Sequence, residues 1–163
     1  MTQEQRNLLM KDLSSRLLYG VKVQVDQQGL QEYDNYWTAW DFDKEVQEVS
    51  GIYMYGVTLD CMAMVDGVIP FEFIKPYLFP MSSMTEEQAL ELYKLFGIKL
   101  TDSIGLDYIK INEITGITFF LHKGFDVENH LDKLIDWLLK NHFDYRGLIP
   151  KGLALDATGL NIY

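Results

Sequence analysis

The sequence has 163 residues, 48% of them hydrophobic and 23% charged, a balance typical of a folded globular chain and not of a disordered one. Its net charge of −10 argues against direct nucleic-acid binding, which depends on Lys and Arg to displace counterions. No apolar run approaches the roughly 18 residues of a membrane span, and the first residues do not resemble a secretory signal. We therefore expect a cytoplasmic protein that makes no membrane contact, and whose one cysteine, Cys61, forms no internal disulfide.

A helix opens the predicted fold. Thr2 and Gln5 have the spacing of a capping box, in which each side chain bonds the backbone N–H of the other residue. Leucines recur every four residues after it, so an amphipathic helix is predicted over residues 3–18, with Gly20 ending it.

Strands are predicted next. "VKVQV" (21–25) alternates valine with polar residues, which is typical of a half-buried strand, and "DQQG" after it indicates a turn. A strand over residues 46–54 is expected to pair with a hairpin whose two strands flank Asp66-Gly67. In "KPYLFPMSSM" (75–84), two prolines are expected to stop both ladder pairing and helix.

The second half repeats the pattern on a smaller scale. Thr85 and Gln88 form a second capping box, which predicts a helix closed by Gly97. "LDYIKI" and "GITFFL" indicate two short strands, and Asp126 is expected to cap a last helix with an apolar stripe. Because hairpin links outnumber crossover helices, we predict an α+β fold with a mainly antiparallel sheet or a small SH3-like barrel. The chain is either one domain over 1–163 or two lobes, 1–80 and 81–163.

Three segments carry a resemblance: "LSSRLLYGVKVQV" (13–25), "FIKPYLFPMSSMTEEQ" (73–88) and "HFDYRGLIPKGLALDA" (142–157). Together they resemble a family of uncharacterised proteins from anaerobic gut bacteria and their prophages. The resemblance implies a mobile-element or accessory setting. It implies no chemistry.

Motifs for common chemistry are absent from the sequence. There is no P-loop, dinucleotide-binding glycine pattern, nucleophile elbow, zincin helix or cysteine pair, so no cofactor is predicted. His130 and His142 lie twelve residues apart, about 18 Å along a helix axis, which no single ion spans, and His122 follows a strand. "DFDKE" (41–45) imitates the start of a calcium loop but lacks its glycine and closing glutamate. No metal site is predicted.

Cys61 is the one candidate thiol nucleophile. On the predicted strand it shares a face with Leu59 and Ala63, so we expect a buried thiol that serves packing and not catalysis.

The stretch "NHFDYRGLIPK" (141–151) admits two interpretations. His142, Asp144 and Arg146 are residue types that fill many active sites, and an enzyme with a non-standard site there is the alternative hypothesis. The structural interpretation is that the stretch ends the last helix, with Gly147 placed to close the helix or its trailing turn, and packs its apolar side chains back onto the domain.

One segment, "YDNYWTAWDF" (33–42), is typical of a surface that binds a partner. Five rings fall within ten residues, in a part of the chain (26–48) that carries seven acidic groups and one lysine. The predicted partner-binding residues are Tyr33, Asp34, Tyr36, Trp37, Trp40, Asp41 and Phe42. The other interpretation is that some of these rings cover the core.

Two functional classes remain open at this point. The first is a non-enzymatic module that binds a basic protein partner, and the second is the enzyme described above. A flat patch of acidic and aromatic residues favours the module, and a deep pocket lined by His142 and its neighbours favours the enzyme.

Overall fold

The computed structural model describes residues 1–39, 42, 46–62, 67–95, 109–112, 116–119 and 131–163. In chain order the elements are α1 (Gln3–Arg16), β1 (Lys22–Val25), α2 (Gln27–Tyr33), β2 (Gln47–Ile52), β3 (Gly56–Leu59), β4 (Ile69–Pro70), β5 (Ile74–Leu78), α3 (Glu86–Leu95), β6 (Ile109–Asn112), β7 (Gly116–Phe119), α4 (Leu131–Lys140) and β8 (Leu155–Asp156). The fold is α+β, as predicted.

The chain divides into two compact units. The first contains Met1–Leu78 together with Leu148–Tyr163, and the second contains Phe79–Gly147. The predicted lobe boundary near residue 80 lies close to the first division, but the tail from residue 148 belongs to the first unit and not to the second.

The first unit is built on a six-stranded sheet with the order β4-β3-β2-β1-β5-β8. Every pairing in it is antiparallel except that of β5 with β8, so the prediction of a mainly antiparallel sheet is confirmed. The barrel alternative is wrong, because within the described residues β4 and β8 remain the two edges of an open sheet.

Pro76 lies inside β5, opposite β1, although the prolines of residues 75–84 were expected to stop ladder pairing. The Leu78 carbonyl accepts from the Ala157 N–H (2.9 Å), so Leu78 directs its backbone groups to the β8 side. Residues two apart in a strand face the same neighbour, and Pro76 therefore turns its nitrogen towards β8. Pairing with β8 begins only at Tyr77, so the ladder needs no N–H from the proline.

Helix α2 replaces the turn predicted at "DQQG". The Asp26 side chain accepts a hydrogen bond from the Gly29 N–H (3.0 Å) and caps the helix. Leu30 is then fully buried in the core of the first unit, and its burial stabilises a helix whose glycine would otherwise disfavour it.

The strand predicted through residue 65 is shorter than expected. β3 ends at Leu59, a 3₁₀ turn (Asp60–Met62) follows, and β4 begins at Ile69. The prediction of a two-residue turn at Asp66-Gly67 between two long strands is therefore wrong. Cys61 lies in this turn and is exposed, which also overturns its predicted burial. Partial burial of the thiol, with Asp60 beside it, still raises its pKa and keeps the thiolate fraction low at neutral pH.

Helix α1 begins as predicted, and the face that it packs on the sheet contains charged as well as apolar residues. Its capping box is present, with Thr2 N–H donating to Gln5 Oε1 (2.9 Å) and Gln5 N–H donating to Thr2 Oγ1 (3.2 Å). The buried positions are Leu9, Asp12, Leu13 and Arg16. Two of these four are charged, so the apolar stripe is interrupted by an ion pair.

The Asp12–Arg16 pair is fully buried. Arg16 Nε donates to Asp12 Oδ2 (2.7 Å) and Arg16 Nη2 donates to Asp12 Oδ1 (3.2 Å), which is the bidentate geometry that suits a guanidinium and a carboxylate. Arg16 also ends α1, and Gly20, with φ +66°, closes the 3₁₀ turn (Leu17–Tyr19) after it.

Tyr163 joins β1 to β5 where their ladder ends. Its hydroxyl accepts from the Lys22 N–H (3.1 Å) and donates to the Tyr77 carbonyl (2.8 Å). Partial burial of the hydroxyl raises the pKa of Tyr163 to about 12, and the N–H of Lys22 and the charge of Arg16 oppose that rise. The tail therefore contributes both a strand and a hydrogen-bonded bridge to the sheet.

The second unit contains α3, α4 and the antiparallel pair β6–β7, which confirms the two predicted short strands. The second capping box is also present, with Thr85 N–H donating to Gln88 Oε1 (2.9 Å) and Gln88 N–H donating to Thr85 Oγ1 (3.3 Å). Its core contains Met81, Leu92, Leu134, Trp137, Leu138 and Phe143. Gly97 and Asp126, the predicted helix boundaries, lie outside the described residues.

Among the helices described, none has the length and apolar character needed to cross a membrane.

Removal of one member of the Asp12–Arg16 pair should destabilise the protein strongly. Asp12→Leu or Arg16→Met leaves the partner's charge buried, so we expect each to lower the free energy of unfolding by about 3–5 kcal/mol. The double variant Asp12→Leu/Arg16→Met should lose much less free energy of unfolding than the two single variants lose together, since no uncompensated charge remains. Urea denaturation of all four proteins gives the coupling energy directly. Additive losses would contradict a coupled buried pair.

Tyr163→Phe should remove the bridge between β1 and β5 and lower the free energy of unfolding by about 1–2 kcal/mol. The raised pKa adds a pH dependence: the contribution of the neutral phenol is complete below pH 10 and is lost as pH rises through about 12. Unfolding titrations near neutral pH and between pH 10 and 12 measure both effects. If wild type and Tyr163→Phe lost stability equally over that range, the phenol would not be the group responsible.

Candidate interaction surface

The segment predicted to bind a partner follows directly from α2. Asp34 ends that helix, donating its N–H to the Leu30 carbonyl (3.1 Å), and its side chain then accepts from the Tyr36 N–H (2.9 Å). This turn starts the short 3₁₀ helix Asn35–Ala39. One aspartate therefore both stops α2 and directs the rings on either side of it.

The rings of this segment divide into two groups. Tyr33 and Tyr36 are exposed, at 67% and 49%, whereas Trp37 and Phe42 are buried, at 5% and 3%. Trp40 and Asp41 lie outside the described residues. The aromatic segment therefore serves the core and the surface together.

Distant parts of the chain explain why Trp37 and Phe42 are buried. A side chain at Gly67 would meet the Trp37 ring at 3.1 Å, so the glycine leaves the space that the indole fills. Phe42 packs against Trp37 with ring centroids 6.3 Å apart, and its N–H donates to Oε1 of the buried Gln27 (3.1 Å). The interpretation that some rings cover the core is confirmed for these two.

The two exposed rings rest on other rings and are held by them. Tyr33 lies 5.3 Å from Phe73, and Tyr36 packs edge-on against Trp37 at 5.1 Å. Asp34 lies between them in sequence and is exposed, as is Glu32. We call the residues Glu32, Tyr33, Asp34 and Tyr36 the acidic–aromatic surface.

A shallow groove of about 480 Å³ lies beside the N-terminal end of α2. Its polar lining includes Gln24, Asp26, Gln28, Glu72 and Lys75. Asp26 is engaged in capping α2 and Glu72 forms an ion pair with Arg6, so both carboxylates already have structural partners. Among the described residues, no group of three or more His, Cys, Asp or Glu side chains is placed to hold a metal ion.

The cluster His142, Asp144 and Arg146 lies at the end of α4. His142 has φ +56°, its N–H donates to Leu139 O (3.1 Å), and the Phe143 N–H donates to Leu138 O (2.9 Å). These bonds form a Schellman motif with histidine in the left-handed position, so His142 closes the helix. Gly147, with φ +68° and its N–H donating to the Asp144 carbonyl (3.4 Å), closes the turn that follows, which is one of the two positions predicted for it. Histidine is among the non-glycine residues that adopt this conformation more readily than most.

The rest of the cluster also serves structure. The Phe79 N–H donates to the His142 carbonyl (2.9 Å), and the Asp144 N–H donates to the Phe79 carbonyl (2.8 Å). His142 and Asp144 are buried, and the Arg146 guanidinium lies 4.7 Å from the centre of the Tyr145 ring. This geometry agrees with the helix-ending interpretation.

Sequence reasoning missed the hairpin connecting β2 and β3 as a surface feature. Tyr53, Met54 and Tyr55 form its turn, and all three are exposed. The signal was present in the sequence, because three large apolar or aromatic residues replace the small polar residues that tight turns favour.

Comparison with known proteins yields no matching family model, no matching curated protein and no matching solved structure.

Trp37→Ala and Tyr36→Ala should show that the first ring stabilises the core and that the second lies at the surface. Trp37→Ala leaves a cavity beside Phe42, so we expect the free energy of unfolding to fall by about 3–5 kcal/mol. Tyr36→Ala removes an exposed ring and should change the free energy of unfolding by less than about 0.5 kcal/mol. Denaturant titration of both variants is the measurement, and equal losses would mean that the two neighbouring rings share one environment.

Proposed function

We propose that this protein is a non-enzymatic module that binds a protein partner through the acidic–aromatic surface. The observation that carries the proposal is the placement of Tyr33 and Tyr36, which are exposed on either side of the exposed Asp34. Each of these rings is supported by another ring beneath it.

Supported tyrosines are well suited to an interface. Tyrosine buries a large area on binding and loses little side-chain entropy, because it has only two side-chain torsions. Contact with Phe73 or Trp37 restricts those torsions before a partner arrives, so less freedom is lost in the complex. Binding energy of such surfaces is concentrated in a few rings of this kind.

The charge of the segment selects the class of partner. Residues 26–39 contain Asp26, Glu32 and Asp34 and no Lys or Arg, and the whole chain carries −10. A basic protein surface is complementary to this charge, and the attraction speeds encounter. A protein that uses a basic face for nucleic acid fits this chemistry, in which case the acidic surface competes with the nucleic acid.

The resemblance described above adds the setting of an accessory protein in a bacterial or prophage genome. The cytoplasm is the compartment we propose, since the sequence has one cysteine and no internal disulfide. Trp40 and Asp41 remain predicted members of the surface. Phe42 and Trp37 support it from the core.

Affinity purification of the tagged protein from its native host, followed by measurement of the recovered partner, tests the proposal. We expect Tyr36→Ala to weaken binding by about tenfold or more, because exposed and supported tyrosines carry much of the binding energy of such surfaces. Asp34→Asn should slow association and reduce its salt dependence, because it removes a charge from the edge of the contact.

Leu160→Ala is a matched control, since Leu160 is also an exposed apolar residue of the first unit. Its affinity should equal that of wild type. A partner that binds Tyr33→Ala and Tyr36→Ala as tightly as wild type would refute the proposed surface.

A further inference from the structure

The turn between β2 and β3 is occupied by Tyr53, Met54 and Tyr55, with Met54 80% exposed. Gly, Asn, Asp and Pro are the residues that tight turns favour, each for a conformational reason. Exposed apolar side chains bury little area and therefore add little to folding. Tyr53, Met54 and Tyr55 are adjacent in sequence and all exposed, so they form an apolar patch of a kind that often marks an interaction site. We call these three residues the hairpin tip.

The backbone of the hairpin tip is held on both sides. The Tyr53 N–H donates to the Gly56 carbonyl (2.8 Å), and the Tyr55 carbonyl accepts from the Phe71 N–H (3.3 Å). A Cβ at Gly56 would lie 2.1 Å from the carbonyl oxygen of Ile69, so only glycine permits β4 to approach this closely. The tip is therefore presented by a backbone that is already ordered, which reduces the entropy lost on binding.

We propose that the hairpin tip is the apolar anchor of the interface, and that it enters a cleft with an apolar floor and a basic rim on the partner protein. This inference rests on the proposed function, because it names the chemistry of the same partner. Met54 is unbranched and polarisable and fills irregular clefts well. Tyr53 and Tyr55 flank it with rings whose hydroxyls can remain at the wet edge.

The hairpin tip and the acidic–aromatic surface are attached to one short segment. The 3₁₀ helix Phe71–Phe73 bonds Tyr55 through the backbone of Phe71 and contacts Tyr33 through the ring of Phe73. Residues 71 and 73 are about 4 Å apart along the axis of such a helix. The two attachment points are therefore neighbours in the chain, which supports contact of one partner with both surfaces.

Charge decides which occupant fits the hairpin tip. With a net charge of −10, the chain is repelled by anionic membrane surfaces, by nucleic acid and by a second copy of itself. A protein cleft rimmed by Lys and Arg is attracted instead. This charge argument distinguishes a protein partner from the other apolar targets.

A random peptide library displayed on phage and selected on the folded protein provides the probe. Selected peptides are synthesised, and their dissociation constants are measured by fluorescence anisotropy for wild type, Met54→Ser, Tyr36→Ala and Leu18→Ser. Leu18 is the matched control because its apolar side chain is 91% exposed, more than that of Met54, and lies outside the hairpin tip. Circular dichroism and melting temperature establish that each variant is folded.

We expect the selected peptides to combine an apolar residue with Lys or Arg. Met54→Ser should weaken their binding by about tenfold or more, and Leu18→Ser should leave it within about twofold. Peptides that require Met54 but tolerate Tyr36→Ala would support the hairpin tip and contradict the proposed function. Peptides that require Tyr36 but tolerate Met54→Ser would overturn the hairpin tip and leave the proposed function standing.

Three other results would overturn the inference. One is a library that yields no enriched peptide, which would also count against the proposed function. Another is self-association in analytical ultracentrifugation that Met54→Ser abolishes, since the tip would then belong to a homodimer. The third is binding to vesicles of phosphatidylcholine and phosphatidylserine that depends on Met54, which would make the target a lipid surface.

Discussion

The buried ion pair between Asp12 and Arg16 is the constraint that the packing of the first unit has to satisfy. Two charges at core positions of α1 are tolerable only if they remain paired, because a lone charge in that environment costs several kcal/mol. The pair therefore constrains how α1 can pack on the sheet. Its bidentate geometry fixes both side chains, whereas leucines at the same positions would permit several arrangements of similar energy.

The tail extends this constraint across the sheet. β8 pairs with β5 in the one parallel contact of the sheet, and Tyr163 bonds both β1 and β5. The charges of Arg16 and Asp12 also act on the Tyr163 hydroxyl. The ion pair, the phenol and strands β1 and β5 thus form one electrostatic and hydrogen-bonded assembly. The outer features of the unit lie outside this assembly.

Two of those outer features depart from what stability alone would favour. Exposed rings beside Asp34, and a Tyr-Met-Tyr turn at the hairpin tip, both place large side chains where water covers them. Each is supported by rigid neighbours, through ring contacts in one case and backbone hydrogen bonds in the other. Rigid support beneath exposed aromatic and apolar groups is the arrangement that lowers the entropic cost of association.

The sequence by itself determined the features that depend on near neighbours. The capping boxes at Thr2 and Thr85, the alternation in β1 and the α+β class follow from spacings of a few residues, and all are present. The aromatic character of the segment after α2 was equally visible. Which of its rings are exposed was not, because Trp37 is buried by the space at Gly67 and Tyr33 is supported by Phe73.

Tertiary structure decided everything that required a partner far along the chain. An acid and an arginine four residues apart on a helix usually form a solvated surface pair, and only packing on the sheet buries Asp12 and Arg16. "DQQG" can start a turn or a helix with the same Asp26 cap, and the burial of Leu30 selects the helix. Alternation likewise continues past Leu59 in the sequence, but a strand exists only where a neighbouring strand pairs with it, and Cys61 lies beyond that point.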